Sequence, residues 1–166
     1  KLLQIVLLGQ PELKDILALQ SDVARAVAQQ INVALNPREE ARLAAIRTVN
    51  PAAHEAYQRG RHHWYKRTKP SFEKGIEYFR QAIAADPQYA PAYAGLADSY
   101  TSPAYLGLVT PKDALVQAKE AALQALKLDD GLAEAHAALG FAAFYFEWDW
   151  TLAEREHRRA LELNPS

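Results

Sequence analysis

Histidines are the side chains of this 166-residue chain that are best suited to bind a metal ion, and there are five of them. His62 and His63 are adjacent, so on a helix their side chains point about 100° apart. His54 lies upstream and can share a helix face with His62, but the chain has no cysteine and no His-Glu-x-x-His pattern. We therefore expect no metal site and no cofactor.

Paired carboxylates, which general acid-base catalysis uses, are the next candidates for chemistry. They occur at Glu39 and Glu40, Asp129 and Asp130, and Glu154 and Glu156. We expect all of them at helix ends or on polar faces, since acidic residues near a helix start are stabilised by the helix dipole. The chain has no Gly-x-Ser-x-Gly turn, no glycine-rich phosphate loop and no kinase signature. The sequence thus predicts a protein that is not an enzyme.

One segment, from Arg59 to Lys74, combines basic residues with aromatic ones. Its cations are Arg59, Arg61, Lys66, Arg67, Lys69 and Lys74. With Trp64 and Tyr65 between them, these cations could hold phosphates while the rings stack on bases. A solvated helix face has a similar composition, and the formal net charge of the chain is -1. Nucleic-acid binding by this basic cluster is therefore the alternative function, and nucleic acid is the less favoured partner.

The elements that position these residues are predicted to be helices. Alanine is abundant and only seven residues are glycine, which favours an all-α fold. Residues 15–50 are predicted to hold two helices: residues 15–35 carry the apolar spacing of an amphipathic helix, and a shorter helix runs from Pro37 to about Arg47. We expect these helices to pack on the rest of the chain. Residues 1–14 fit a short buried strand as well as a helix. No apolar run approaches the about 20 residues of a membrane span, and we expect a cytoplasmic protein without membrane partners.

From Pro51 onward the sequence repeats. The segments 75–87, 118–130 and 153–165 align position for position, each with a small first residue and with alanine at the eighth position, at Ala82, Ala125 and Ala160. Each is preceded by another predicted helix with its own small residue, at Gly60, Ala97 and Gly140. Repeat periods of this size indicate a stacked array. We expect three helix-turn-helix repeats, at residues 51–89, 90–132 and 133–166.

This pattern resembles the tetratricopeptide repeat (TPR), on the strength of "YAGLADSY", "HAALG" and the aligned second helices. The resemblance implies a right-handed helical solenoid, in which small residues allow helices to approach closely. The chain departs from the TPR pattern in its connections. We expect extra loop residues after Trp64, around "TSPAYLGLVT" and, by one residue, at "EWDW". Asp130 replaces a closing proline, and His157 replaces an aromatic residue.

The stretch "FYFEWDW" falls at the corner between the two helices of the third repeat. We expect Phe146, Trp148 and Trp150 to close this corner by packing on neighbouring helices. Asp149 is placed to cap the following helix. Phe144 and Tyr145 are expected to be available for binding.

In the TPR family, the first helices line a concave groove that binds peptides or protein segments. Carried over by position, the resemblance implies a site formed by His54, Tyr57, Arg61, Trp64, Tyr65, Asp98, Thr101, Ser102, Glu134, Phe141, Phe144 and Tyr145. Such a groove suits a peptide held by aromatic anchors and oriented by a charge. Chaperone-binding members grip a terminal carboxylate with lysine and asparagine. Here those positions hold Tyr57, Arg61, Ala94 and Asp98, so the clamp is absent.

A closer resemblance, carried by residues 15–35, 41–64 and 133–150, is to bacterial signalling proteins in which TPRs follow a TolB-like segment. Their amino-terminal domain is a winged-helix DNA binder, an adenylate cyclase or a protein kinase. This resemblance implies a scaffold or sensor module of a regulatory protein, while residues 1–14 look more like a piece of an AAA-type ATPase core. The last repeat ends at a second helix without a polar capping helix, so we also expect self-association.

Overall fold

The structure, a computed structural model, describes residues 50–165. The predictions for residues 1–14 and for the helices between residues 15 and 50 lie outside this part. Residues 50–165 form six α-helices and a π-helical segment, with no β-strand. The elements are α1 Pro51–Trp64, α2 Lys69–Ala85, α3 Ala90–Tyr105, α4 Pro111–Leu128, α5 Ala133–Ala142, the π-helical segment Ala143–Glu147 and α6 Trp150–Leu163. The all-α class is confirmed.

The helices form three pairs, and each pair lies within one of the three predicted repeat ranges. Proline stands in the first turn of four helices, beginning with Pro51 in α1. Proline is tolerated there because the backbone N–H groups of the first turn have no partner within the helix. The first helix thus begins at Pro51, where the first repeat was predicted to begin.

Phe79 connects the first two repeats by packing against glycines on both sides. Its side chain is fully buried on α2, between Gly60 of α1 and Gly95 of α3. A Cβ atom would lie 2.8 Å from the Phe79 ring at Gly60 and 2.4 Å from it at Gly95. Because these distances are shorter than any ordinary contact, both positions need glycine. The predicted role of Gly60 in close helix approach is correct, and Gly95 has the same role on the other side.

Alanines form the interface between the second and third repeats. Ala97 of α3, Ala121 and Ala122 of α4, and Ala138 and Leu139 of α5 make one buried cluster. Helix α4 of the second repeat thus packs both on α3 of the same repeat and on α5 of the third repeat. Small side chains bring the helix axes close together, which gives a core with few large residues.

The predicted loop at "TSPAYLGLVT" is wrong over its first half. Helix α3 continues to Tyr105 despite Pro103 inside it, so only residues 106–110 connect α3 to α4. Proline in a helix interior removes a hydrogen bond and crowds the preceding turn, which disfavours the helix by about 3 kcal/mol. The helix continues because Ala104 is buried in a cluster with Ala114 and Leu115 of α4.

The extra residue at "EWDW" is accommodated in the π-helical segment instead of in a longer loop. A π-helical turn holds one residue more than an α-helical turn, so it absorbs an insertion without breaking the helix. The segment ends at Trp148, whose backbone is left-handed with φ 58°. Helix α6 then begins with the predicted cap, since the Asp149 side chain accepts a hydrogen bond from the Leu152 N–H at 2.9 Å.

The packing prediction for the aromatic corner is correct for Phe146, correct in part for Trp150 and wrong for Trp148. Phe146 packs against the buried cluster of Ala104, Ala114 and Leu115. Trp148 and Trp150 are instead 68% and 53% exposed. Trp150 still meets the Phe144 ring edge to face at 4.9 Å, whereas Trp148, whose backbone is left-handed, contacts the Trp150 ring.

Glu156 was predicted on a polar face, and this is wrong because its side chain is buried in α6. Its Oε2 lies 2.6 Å from Nδ1 of His136 on α5, and its Oε1 accepts a hydrogen bond from Nε of Arg155 at 2.9 Å. Burial alone would raise the pKa of Glu156, but the hydrogen bonds from His136 and Arg155 bring it below its ordinary value. This carboxylate therefore links the two helices of the third repeat.

Candidate functional site

A cavity of about 430 Å³ lies between α3 and α5, and α6 completes one wall. Five residues of the predicted groove line this cavity: Asp98, Thr101, Ser102, Phe141 and Tyr145. They come from two different repeats, so only the stacking of the repeats brings them together. The volume falls in the range of about 300–1,000 Å³ that is typical of ligand pockets.

Other residues of the cavity wall were not predicted. Tyr105 follows Thr101 by one helical turn and is 67% exposed, but its segment was read as a loop. Recognition that α3 extends to Tyr105 would have placed it on this face. His157 of α6 reaches the cavity beside Gly140, since its ring lies 3.0 Å from the point where a Gly140 Cβ would stand. From the sequence, His157 was noted only as the replacement of an aromatic residue of the TPR pattern.

Charged groups from all three first helices act on one another near the cavity. Asp98 is half-buried, and burial raises the pKa of its carboxyl to about 7. The positive charge of Arg61 on α1 partly opposes this shift, whereas the negative charge of Glu134 on α5 adds to it. The predicted site therefore contains two acidic groups and one basic group within electrostatic range of each other.

His54 and Tyr57, predicted as groove residues, contact the protein itself. His54 Nδ1 lies 3.1 Å from the Tyr89 hydroxyl, and its Nε2 lies 3.2 Å from Nε2 of Gln58. The Tyr57 ring packs 5.7 Å from Phe79 and 5.4 Å from Tyr89, measured between centroids. Burial raises the pKa of the Tyr57 hydroxyl. Neither residue lines the cavity, and their contacts hold α1 against α2 and the start of α3.

Arg61, Trp64 and Tyr65 form a separate group at the end of α1. Arg61 Nη2 donates a hydrogen bond to the Tyr65 hydroxyl at 2.6 Å, and the guanidinium lies 5.5 Å from the centroid of the Trp64 ring. Arg67 lies at the same distance from that ring on the following turn. Such cation–π contacts are favourable. None of these residues lines the cavity, but the positive charge of Arg61 lowers the pKa of Asp98, which does line it.

Phe144 and Tyr145 belong to a row of six aromatic side chains, which we call the aromatic row. In order of contact, its members are Tyr105, Phe141, Tyr145, Phe144, Trp150 and Trp148. Neighbouring ring centroids lie between 4.4 and 5.9 Å apart. All of these rings except the half-buried Phe141 are exposed. Contiguous exposed apolar surface of this kind is typical of interaction sites.

The basic cluster from Arg59 to Lys74 is partly occupied by contacts within the chain. Arg59 forms an ion pair with Glu55 at 2.6 Å, and Lys74 forms one with Glu77 at 2.7 Å. Both pairs are exposed, so each contributes little to stability. They still reduce the positive potential that the cluster presents.

Among the described residues, no group of three or more histidine and acidic side chains is arranged to hold a metal ion. In the same part of the chain, no helix has the length and apolar character needed to cross a membrane.

Solved structures similar to this chain are TPR domains. An Arabidopsis OM64 TPR domain matches with a TM-score of 0.57 and 20% identity, over 70% of this chain and 86% of that one. The first TPR of Spaghetti (RPAP3), bound to the HSP90 peptide SRMEEVD, matches with a TM-score of 0.57 and 19% identity over 70% and 82% of the two chains. The second TPR of Spaghetti, bound to the same peptide, gives 0.55 and 24% over 68% and 93%. The chain therefore has a TPR-type helical repeat fold, as its sequence predicted.

The curated relatives are bacterial. Over 84 residues the chain is 31% identical to the transcriptional regulator HilA of Salmonella typhimurium and of Salmonella typhi, and 30% identical to HilA of Salmonella paratyphi A. The match covers 51% of this chain but only 15% of HilA, so the chain spans a small part of the length of these relatives. No family model matches the chain.

Proposed function

We propose that residues 51–165 are a non-catalytic interaction module that binds a peptide or protein segment along α3, α5 and the π-helical segment. The observation that carries this proposal is the cavity between α3 and α5, which is lined by three members of the aromatic row, Tyr105, Phe141 and Tyr145. Exposed rings next to a cavity provide apolar anchoring area, and the charges at Asp98 and Glu134 can orient a bound segment.

The partner differs in charge from the peptide held by the Spaghetti domains. That peptide, SRMEEVD, contains three acidic residues. Here Asp98 and Glu134 would repel an acidic segment, and Arg61 is directed to Tyr65 by its hydrogen bond. Like charges disfavour a wrong partner at an interface. We therefore do not assign a carboxylate-terminated chaperone peptide to this groove.

The setting that we propose is a bacterial signalling or regulatory protein whose output domain lies outside these residues. The similarity to a bacterial transcriptional regulator over 84 residues supports a regulatory role. The resemblance to the TPR region of TolB-like signalling proteins, and a cytoplasmic location, are parts of this proposal. Nucleic-acid binding by the basic cluster receives less support, because ion pairs with Glu55 and Glu77 occupy two of its cations.

Selection from a library of displayed random peptides tests the proposal. The wild-type chain is compared with a Phe141→Ala, Tyr145→Ala double variant, which removes two walls of the cavity. The matched control is Leu123→Ala with Leu128→Ala, which removes two exposed apolar side chains from α4. Loss of two aromatic anchors should lower peptide affinity by about tenfold to a hundredfold, while the control should bind as the wild type does.

Circular dichroism checks that all variants are folded. Peptides that bind all three proteins equally would contradict the proposal and move the site away from α3 and α5. Binding of single-stranded DNA that weakens steeply with added salt, and that is lost in a Lys66→Ala, Lys69→Ala variant, would instead support the nucleic-acid alternative.

A further inference from the structure

The cavity between α3 and α5 combines an acidic group with aromatic walls. Asp98 lines it together with the rings of Tyr105, Phe141 and Tyr145. The Tyr105 and Phe141 rings meet edge to face at 5.9 Å, and the Phe141 and Tyr145 rings lie 4.4 Å apart. The faces of aromatic rings attract cations, and a carboxylate attracts them more strongly.

The Asp98 carboxylate has no ion pair or hydrogen bond with another side chain of residues 50–165. The nearest basic group by its electrostatic effect is Arg61, which lowers the pKa of Asp98. Arg61 is held elsewhere, since its Nη2 donates to the Tyr65 hydroxyl and its guanidinium lies over the Trp64 and Tyr65 rings. Among residues 50–165, no basic side chain therefore pairs with Asp98, which leaves this carboxylate available to a cation of a bound segment.

The remaining charges around the cavity also favour a cation. Glu134 of α5 adds a second negative charge that acts on Asp98 and on Tyr57. In the described part of the chain, Arg61 is the basic group whose positive charge acts against these two acids. The α6 wall of the cavity is formed by His157. When Asp98 is ionised, the site thus has excess negative charge, which a basic side chain would complement.

We propose that this cavity receives a lysine or arginine side chain of the bound segment, with its charged group at Asp98 and its aliphatic stem against Tyr105, Phe141 and Tyr145. This inference rests on the proposed function, because it assigns the residue class that the groove selects. Desolvation of Asp98 raises its pKa, and a bound cation reverses this effect by stabilising the ionised carboxylate. The aromatic rings hold the stem, as amphipathic side chains bury their methylene groups on apolar surfaces.

A positional-scanning library of short synthetic peptides is the probe that tests this inference. One position at a time carries lysine, arginine, methionine, glutamine or glutamate, and the other positions are mixed. The wild-type chain should bind the lysine or arginine pool at one position about tenfold more tightly than the methionine and glutamate pools, as charge-assisted hydrogen bonds predict. Asp98→Asn, which keeps the size of the side chain, should reduce this preference to less than about threefold.

A charge reversal provides the second variant. Asp98→Lys should bind the glutamate pool better than the lysine pool at the same position, and Glu120→Lys, on the exposed surface of α4, should keep the wild-type preference. The inference is overturned if no position prefers a basic residue, or if Asp98→Asn retains that preference. Peptides that need Phe141 and Tyr145 but show no basic preference would overturn this inference alone. Failure of every pool to bind would overturn the proposed function as well.

Discussion

Asp98 carries an acidic group in an environment that disfavours its charge. The side chain is half-buried in the wall of the cavity, and burial raises the pKa to about 7 against an ordinary value of 3.8. A position selected only for stability would hold an apolar or uncharged residue here. Carboxyl groups with a pKa shifted by burial are frequent at binding sites, where a bound partner can supply the missing opposite charge.

The raised pKa of Asp98 predicts a change in stability with pH. The folded state keeps the proton at pH values where the unfolded chain has lost it, so the associated stability is full below about pH 3.8 and is lost as the pH rises through about 7. Asp98→Asn should therefore be more stable than the wild type at pH 7.5, by about 1–3 kcal/mol, with little difference near pH 4. Urea denaturation across this pH range measures the effect.

The matched control for this measurement is Glu120→Gln, because Glu120 is an exposed acid on α4. Its stability curve should run parallel to that of the wild type. Equal pH slopes for the wild type and Asp98→Asn would show that the Asp98 carboxyl is not desolvated, and would remove one support for its role in binding. Arg61 and Glu134 remain unchanged in both variants, so their charges do not account for a difference.

The π-helical segment is the element that exposes the aromatic row. It places Phe144 and Tyr145 on the surface and ends at Trp148, which has a left-handed backbone. Lys119 of α4 forms an ion pair with Glu147 and so anchors the end of the segment. A bulky residue in a left-handed conformation is strained by about 1–2 kcal/mol. Trp148 is thus both strained and exposed, and this combination supports a role of its ring in an interface.

The backbone strain at Trp148 can be measured with a pair of variants. Trp148→Gly and Trp148→Ala both remove the indole ring and its contact with Trp150, but only glycine adopts a positive φ without strain. The glycine variant should be more stable than the alanine variant by about 1 kcal/mol in urea denaturation. An alanine variant of equal or greater stability would contradict the left-handed turn. In the peptide assay, both should bind more weakly than the wild type if Trp148 contacts the partner.

The whole array presents an incompletely covered face on α6. Ala82 and Ala125 are fully buried by the helices that follow them in the array, whereas Ala160, at the equivalent position, is only half-buried. Leu161 beside it is 66% exposed. Repeat arrays bury such faces with a further repeat, a cap or another molecule. We therefore retain self-association through α6 as a proposal for these residues.

A charge placed on this face tests the proposal. Leu161→Glu should shift the chain toward a single-chain mass at concentrations where the wild type associates, because a charge in an apolar interface is strongly disfavoured. Leu123→Glu, at an exposed leucine of α4, should leave the mass unchanged. Light scattering over a series of concentrations measures both. A wild-type mass equal to one chain at every concentration would overturn this proposal.

The amino-acid sequence by itself determined the repeat architecture of residues 51–165. The small residue and the eighth-position alanine of each second helix, together with Gly60 and Gly140 on first helices, encode contacts between neighbouring helices. These contacts recur at fixed spacing, so they are visible without coordinates. The resemblance to the TPR, carried over by position, placed Asp98, Phe141 and Tyr145 in the predicted groove, and all three line the cavity.

Only the tertiary structure determined the length of α3, the path of the backbone through the "FYFEWDW" corner and which residues line the cavity. Pro103 locally disfavours a helix, and only the burial of Ala104 against Leu115 explains why α3 continues far enough to bring Tyr105 to the cavity. His157 reaches the same cavity because Gly140 leaves room for its ring. These outcomes depend on the packing energy between segments that are distant in sequence, and this energy overrides local propensity in a way that no single stretch of sequence reveals.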